Sequence, residues 1–153
     1  MQVDTWIFIW IVGLALFFTV SAVKDRVRKS AIRQMAARVG FIYLGDAVPR
    51  VNLDETPFRW ITSAWNVIAG ERCGIDVVAF DCRVGQGKGS WRRTVIAART
   101  QDDIFSVVAF DRNLTVDRSG NWMVLYQPKQ PAFVPGALMQ VEELEAHLNA
   151  IKQ

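Results

Sequence analysis

WIFIWIVGLALFFTVSAVKDRVRKS, Trp6 to Ser30, holds the transition that decides how this chain is built. No charged side chain occurs from Trp6 to Val23, and Lys24, Arg26, Arg28 and Lys29 then follow in quick succession. At about 1.5 Å per residue, a helix over Thr5 to Val23 spans roughly 28 Å, close to the ~30 Å hydrocarbon core of a bilayer. A helix also satisfies its own backbone hydrogen bonds in lipid. Trp6 and Trp10 stand near one end of the run, where amphipathic rings favour the headgroup level. Leu14, Leu16, Phe17 and Phe18 supply apolar bulk within it.

The flanks set an orientation. Met1 to Thr5 contains no Lys or Arg, and the other flank is crowded with them. The positive-inside rule therefore predicts an outside N-terminus and a cytoplasmic remainder in the cell membrane. A cleaved signal peptide is the competing reading, with Val20-Ser21-Ala22 as a small-residue cleavage site. The absence of a basic n-region, the presence of Asp4 and the basic block after the site all weigh against it.

The formal net charge of +3 is unevenly placed. Residues 24–38 carry Lys24, Arg26, Arg28, Lys29, Arg33 and Arg38 against Asp25 alone, whereas residues 39–153 hold 12 basic and 13 acidic side chains. The basic pI of about 9.1 is thus a juxtamembrane property. A nearly neutral remainder argues against nucleic-acid binding. A polybasic segment beside a bilayer is drawn to anionic headgroups by about 1 kcal/mol per charge. Lys24, Arg26, Arg28, Lys29 and Arg33 are accordingly the candidate membrane-surface residues.

Residues 24–40 read as a helix ended by Gly40. Val27, Ala31, Ile32, Met35, Ala36 and Val39 fall in one half of a helical wheel, with Arg26, Lys29, Ser30 and Arg33 in the other. Arg28 and Arg38 intrude on the apolar half. Such a helix can lie on the lipid surface, or continue the apolar run as a stalk packed on the following domain. The stalk is favoured, because orientation alone explains the charges.

Residues 41–153 suffice for one small domain. Phe41 to Leu44 reads as a short strand and Gly45 to Pro57 as a loop. Phe58 to Trp65 is ambiguous between a strand and a helical turn. Asn66 to Cys73 reads as a strand with Gly70 as a bulge. Ile75 to Val84 alternates, with Val78, Phe80, Cys82 and Val84 on one face and Asp81 and Arg83 on the other. Gly85 to Ser90 is a turn, followed by strands over Trp91 to Thr100, Phe105 to Asp111, Leu114 to Val116 and Trp122 to Gln127. Leu138, Val141, Leu144, Leu148 and Ile151 place a helix over Ala137 to Lys152. The fold class is α+β: a single N-terminal transmembrane helix (1–23), the basic helix (24–40), and a small antiparallel sheet covered on one face by a C-terminal helix (41–153).

Catalytic and cofactor motifs find little support. GQGKGS (Gly85 to Ser90) fails as a Walker loop because Gly89 follows Lys88, and a strand rather than a helix comes next. Cys73, Cys82 and a lone His147, read as solvated, cannot build a usual four-ligand zinc site. The two cysteines read as apolar fillers in a reducing compartment. No cofactor is expected. VVAFD occurs at Val77 to Asp81 and again at Val107 to Asp111; a duplicated hairpin and a shared apolar strand alphabet both explain it, and the second is simpler. Asp76, Asp81 and Asp111 keep open an enzyme using strand carboxylates, with Lys88 as a further candidate, although an Arg-paired strand carboxylate is commoner.

Asn66, Gly70, Gly74, Phe80, Asp81, Gly87, Lys88, Thr94 and Val95 together form a pattern that resembles one in uncharacterised bacterial membrane-anchored proteins. The stretch LTVDRSGNWMVLYQP and the leucine-spaced helix after it are also similar to that family's end. The resemblance implies a small membrane-attached domain and no particular activity. The expected function is a non-enzymatic, single-pass protein presenting a domain that binds a protein or lipid surface. Its expected partners are the lipid bilayer, anionic headgroups and a membrane protein.

Overall fold

The computed structural model describes residues 2–87, 90–99, 114–128 and 138–151. Its first element is one unbroken helix, α1 (Gln2–Val39), of 38 residues. The helix is about 57 Å long at 1.5 Å per residue. Its two halves meet different surroundings. The apolar half is long and apolar enough to cross a membrane, with a mean hydropathy of 2.3 in its best 18-residue window and none of that window buried. In the second half Ile32, Met35, Ala36 and Val39, spaced i, i+3, i+4, i+7, are all buried. That spacing puts them on one stripe, and the stripe seats on the sheet. The stalk expectation thus matches the packing from Ile32 onward, whereas Val27 remains exposed.

Gly40 ends α1 because the stop needs a left-handed residue, and its φ is +80°. Gly40 N–H donates to the Ala37 carbonyl and Phe41 N–H to the Ala36 carbonyl (2.7 Å), the Schellman closure of a helix.

Among the described residues the sheet has six antiparallel strands: β1 (Ile42–Gly45), β2 (Ile61–Arg72), β3 (Ile75–Val84), β4 (Trp91–Arg99), β5 (Thr115–Ser119) and β6 (Trp122–Tyr126). Their order is β1-β2-β3-β4-β6-β5, a meander whose last hairpin reaches the edge first and returns beside β4. α2 (Val141–Ala150) follows. The fold is therefore α+β, as the sequence predicts. The expected strand Phe105 to Asp111 and the second VVAFD lie outside the described residues, as do Ala137 and Lys152 of the expected C-terminal helix. Residues 138–140 are extended rather than helical, so the helix is shorter than expected and starts at Val141.

Several local readings change. The ambiguous Phe58 to Trp65 divides into a 3-10 turn (Pro57–Trp60), capped by the Thr56 hydroxyl accepting from Phe58 N–H at 3.1 Å, and the start of β2. The register of β2 shifts between Ile61 and Ser63 and again, as a bulge, between Trp65 and Ile68, where Asn66 has φ +53°, and not at Gly70. Gly70 is in register opposite Val77. It serves packing instead: a Cβ there would stand 2.6 Å from the Phe41 ring. Cys73 and Gly74, at φ +52° and +79°, form the two-residue turn between β2 and β3, as a type I′ hairpin requires. Cys73 is consequently exposed, while only Cys82 is a buried filler.

Both faces of the sheet carry a core. On one, α1 and α2 pack over Ile68, Val77, Ala79, Ile96, Ala98, Met123 and Leu125. On the other, Phe58, Val67, Val78, Phe80, Val95, Val124 and Tyr126 cluster, with Val51 and Leu53 of the 46–56 loop laid against them. The expected single-sided cover is thus incomplete, because the loop and the 3-10 turn close the second face. His147 is also inside, at 7% exposure, since the stripe of α2 that carries Leu144, Leu148 and Ile151 takes it along.

Candidate functional site

Arg28 intrudes on the apolar half of the helical wheel, and the structure shows what that intrusion does. Its guanidinium meets the Asp81 carboxylate in a two-point contact, Nε to Oδ2 at 2.7 Å and NH2 to Oδ1 at 2.8 Å. Asp81 is 1% exposed. Thr94 donates its hydroxyl proton to Oδ1 (2.7 Å) and Asn66 its amide to Oδ2 (2.9 Å). The left-handed conformation of Asn66 in the β2 bulge accompanies this contact. Tyr43 O–H donates in turn to Asn66 Oδ1 at 3.1 Å. Arg28 NH1 donates to the Met139 carbonyl at 2.8 Å, and Met139 N–H donates to Thr94 Oγ1 at 3.1 Å.

This knot ties α1, β1, β2, β3, β4 and the approach to α2 together. A buried ion pair is tolerated only when its remaining donors and acceptors are satisfied, and here they are. The Asp81 carboxylate is fully committed, which opposes a role as a general base. Asp76 lies near the far end of β3, 59% exposed in its side chain and 3.6 Å from Arg99. Strand alternation points Asp76 and Asp81 to opposite faces, so they do not form a carboxylate pair. Asp111 and Lys88 lie outside the described residues.

The second intruder, Arg38, clasps Glu145 of α2 through Nε and NH2, the shorter contact being 2.6 Å. The Arg38 guanidinium holds Glu145 below its ordinary carboxylate value. Elsewhere, burial pushes the Cys82 thiol up to about 12. Burial raises the Tyr126 phenol too, reinforced by its 2.7 Å hydrogen bond to Asp117. Burial likewise raises Tyr43, with Asp46 adding to the effect. Arg93, on the face opposite α1, is lowered by burial and lies 5.1 Å from the Trp91 ring centroid.

The other expected surface cations, Lys24, Arg26, Lys29 and Arg33, are exposed on α1. Arg26 and Lys29 line a cleft of about 430 Å³ between α1 and the near ends of β2, β3 and β4. Arg83 and Arg92 enter it from the sheet, and Asp25, Asp46 and Trp65 complete its charged and aromatic lining. Arg83 and Arg92 are direct cross-strand partners on one face. Arg92 lies 4.9 Å from the Trp65 ring centroid and 3.4 Å from Asp25, while its buried Nε has no hydrogen-bond partner among the described residues. A second depression, of about 610 Å³, lies under the 46–54 loop and holds Asp46, Asp54 and Arg59.

The anchor residues Trp6, Trp10, Leu14, Leu16, Phe17 and Phe18 are all exposed, Trp10 by 75%. Arg83, Arg92 and Trp65 are the cleft residues that the sequence reading passed over. A signal for two of them was present: a turn over Gly85 to Ser90 sets Val84 against Trp91, hence Arg83 against Arg92.

No family model, curated protein or solved structure matches this chain.

Proposed function

We propose that the chain is a single-pass membrane protein, with its N-terminus outside and its α+β domain held at the cytoplasmic face, where the domain binds the lipid surface or a protein beside it. The observation that carries this reading is the continuity of α1. One helix runs without a break from a fully exposed apolar half to a half fixed in the domain core. No flexible linker separates anchor from domain, so the domain would hold a fixed attitude to the bilayer. The resemblance to bacterial membrane-anchored proteins points the same way.

Protease treatment of intact and lysed cells tests it. The reading predicts that the protein stays in the membrane pellet after alkaline extraction and that its C-terminal domain is digested only after lysis. Digestion in intact cells would overturn the cytoplasmic orientation, and release by alkali would overturn the anchor.

A further inference from the structure

The register of contacts along α1 fixes which end of the sheet lies nearest the apolar run. Asp25 meets Arg92, Arg28 meets Asp81, and Phe41 lies against Gly70, whose partner is Val77. Moving back along α1 toward Val23 therefore moves along β3 toward Val84. The near end of the sheet carries Arg83, Trp91 and Arg92, together with Trp60, 67% exposed, at the mouth of β2. Arg26 and Lys29 lie within about 10 Å of Val23 along the helix axis. That distance is about one Debye length at physiological salt.

The cleft at this end has a charge arrangement that a folded domain alone does not favour. Like charges directly opposite on a sheet face repel, and Arg83 faces Arg92. Arg26 and Lys29 add two more cations from the helix across the cleft, against Asp25 and Asp46. Only Arg92 among these four cations makes an ion pair with a described residue. The cleft volume of about 430 Å³ is in the range of small-molecule sites.

We propose that the cleft formed by Arg26, Lys29, Arg83 and Arg92 binds the phosphate of an anionic lipid headgroup in the leaflet that α1 leaves. This rests on the membrane-anchored reading above and deepens it, naming the ligand class and the residues. A phosphate between the two strand arginines relieves their repulsion and accepts charge-assisted hydrogen bonds from guanidinium forks. Trp65 stacks under Arg92, and the exposed Trp60 stands at the same end of the sheet, a residue type that favours the headgroup level. A lipid is favoured over a diffusible phosphate because the cleft opens beside the exit of the apolar helix, where the local concentration of headgroups is fixed by the bilayer.

The test uses the full-length protein in detergent micelles, with its thermal melt followed during titration with phosphatidylglycerol, phosphatidylcholine or inorganic phosphate. Phosphatidylglycerol is expected to raise the melting temperature saturably, and the other two are not. Lys29→Gln with Arg83→Gln removes two cations, neither ion-paired to a described residue, and should weaken phosphatidylglycerol roughly twenty-fivefold. Arg83→Gln alone should weaken it about fivefold. Without lipid, Arg83→Gln should melt no lower than wild type, because a repulsion is gone. Arg50→Gln with Arg99→Gln, which removes as much charge elsewhere, should leave the titration unchanged. Equal loss in that control would reduce the effect to diffuse attraction and overturn the site. An equal shift with inorganic phosphate would overturn the lipid assignment, as would no shift with phosphatidylglycerol. Alkaline extraction of the same variants keeps the two readings apart: loss of the site leaves them in the pellet, whereas a wild type released by alkali breaks the anchor itself.

Discussion

The two halves of α1 are chemically opposed and conformationally identical. Residues 6–23 are apolar on every side and bury nothing against the domain; residues 24–39 are mostly polar, yet supply Ile32, Met35, Ala36 and Val39 to the core. Helical geometry accommodates both, so what separates them is the surface each presents. An all-round apolar helix matches a lipid solvent, whereas a narrow apolar stripe matches a sheet. The comparison also shows that a charge on an apolar stripe is not always a flaw in the pattern. Arg28 and Arg38 break the stripe, and each finds a carboxylate on the domain.

The largest effect should come from breaking the buried pair. Asp81→Ala leaves the Arg28 guanidinium buried without its anion and should destabilise the domain by about 3–5 kcal/mol, read from chemical denaturation of the full-length protein. Arg28→Met with Asp81→Leu together should cost much less than the two single changes added, because no lone charge remains. Additive losses would mean that the two groups do not act as a pair.

Next, the two halves can be compared by truncating one side chain in each. Met35→Ala should lower domain stability by about 2–4 kcal/mol through the cavity it leaves. Phe17→Ala should leave the domain melt unchanged, since Phe17 touches no core residue and is 66% exposed. A domain destabilised equally by both would contradict the division of α1.

The cysteines should differ in rate rather than in stability. Cys73 is exposed in its turn, and Cys82 is buried with its thiol pushed up to about 12. Burial keeps both the thiolate form and the reagent from Cys82, so at pH 8 a thiol reagent should label one site in the native protein and the second only on unfolding. Rapid labelling of both would place Cys82 outside the core.

The smallest effect concerns Glu145. Arg38 depresses its pKa from the ordinary 4.5, so it binds its proton less readily folded than unfolded. The clasp thus stabilises above the unfolded value and is lost as pH falls through the depressed one. Because the pair is exposed, the stability difference between wild type and Glu145→Gln should be small, present at neutral pH, and closed as pH falls through that acid window. A larger gap at neutral pH and high salt would contradict an ionic clasp.

Much of this fold is legible in the sequence because each signal is local. The apolar run, the Ile75 to Val84 alternation, the Gly85 to Ser90 turn and the leucine spacing of α2 all lie within a few residues of themselves. The knot around Asp81 is less legible, since its members come from positions 28, 66, 81, 94 and 139. Alternation correctly separates Asp81 from Phe80 and Cys82, but nothing local says that the face carrying Asp81 lies under α1. The same reason hid the bulge: Asn66 is left-handed where its amide reaches Asp81, a demand that arises only after the strands pair. Gly70 misled because glycine marks both bulges and close approaches, and only the position of Phe41 tells them apart. His147 follows the glutamates of α2 in sequence but shares the buried stripe with Leu144 and Leu148.

The central claim is that α1 joins the bilayer to the domain as one rigid rod, with the β3–β4 end of the sheet against the lipid. The ten residues of β3 separate that end from the Cys73 turn by about 30 Å. The most direct measurement is fluorescence quenching by a headgroup-located quencher in nanodiscs, with a probe either on native Cys73 or on Gln86→Cys in a Cys73→Ser background. The account predicts strong quenching at position 86 and little at position 73; equal quenching, or the reverse order, would contradict it.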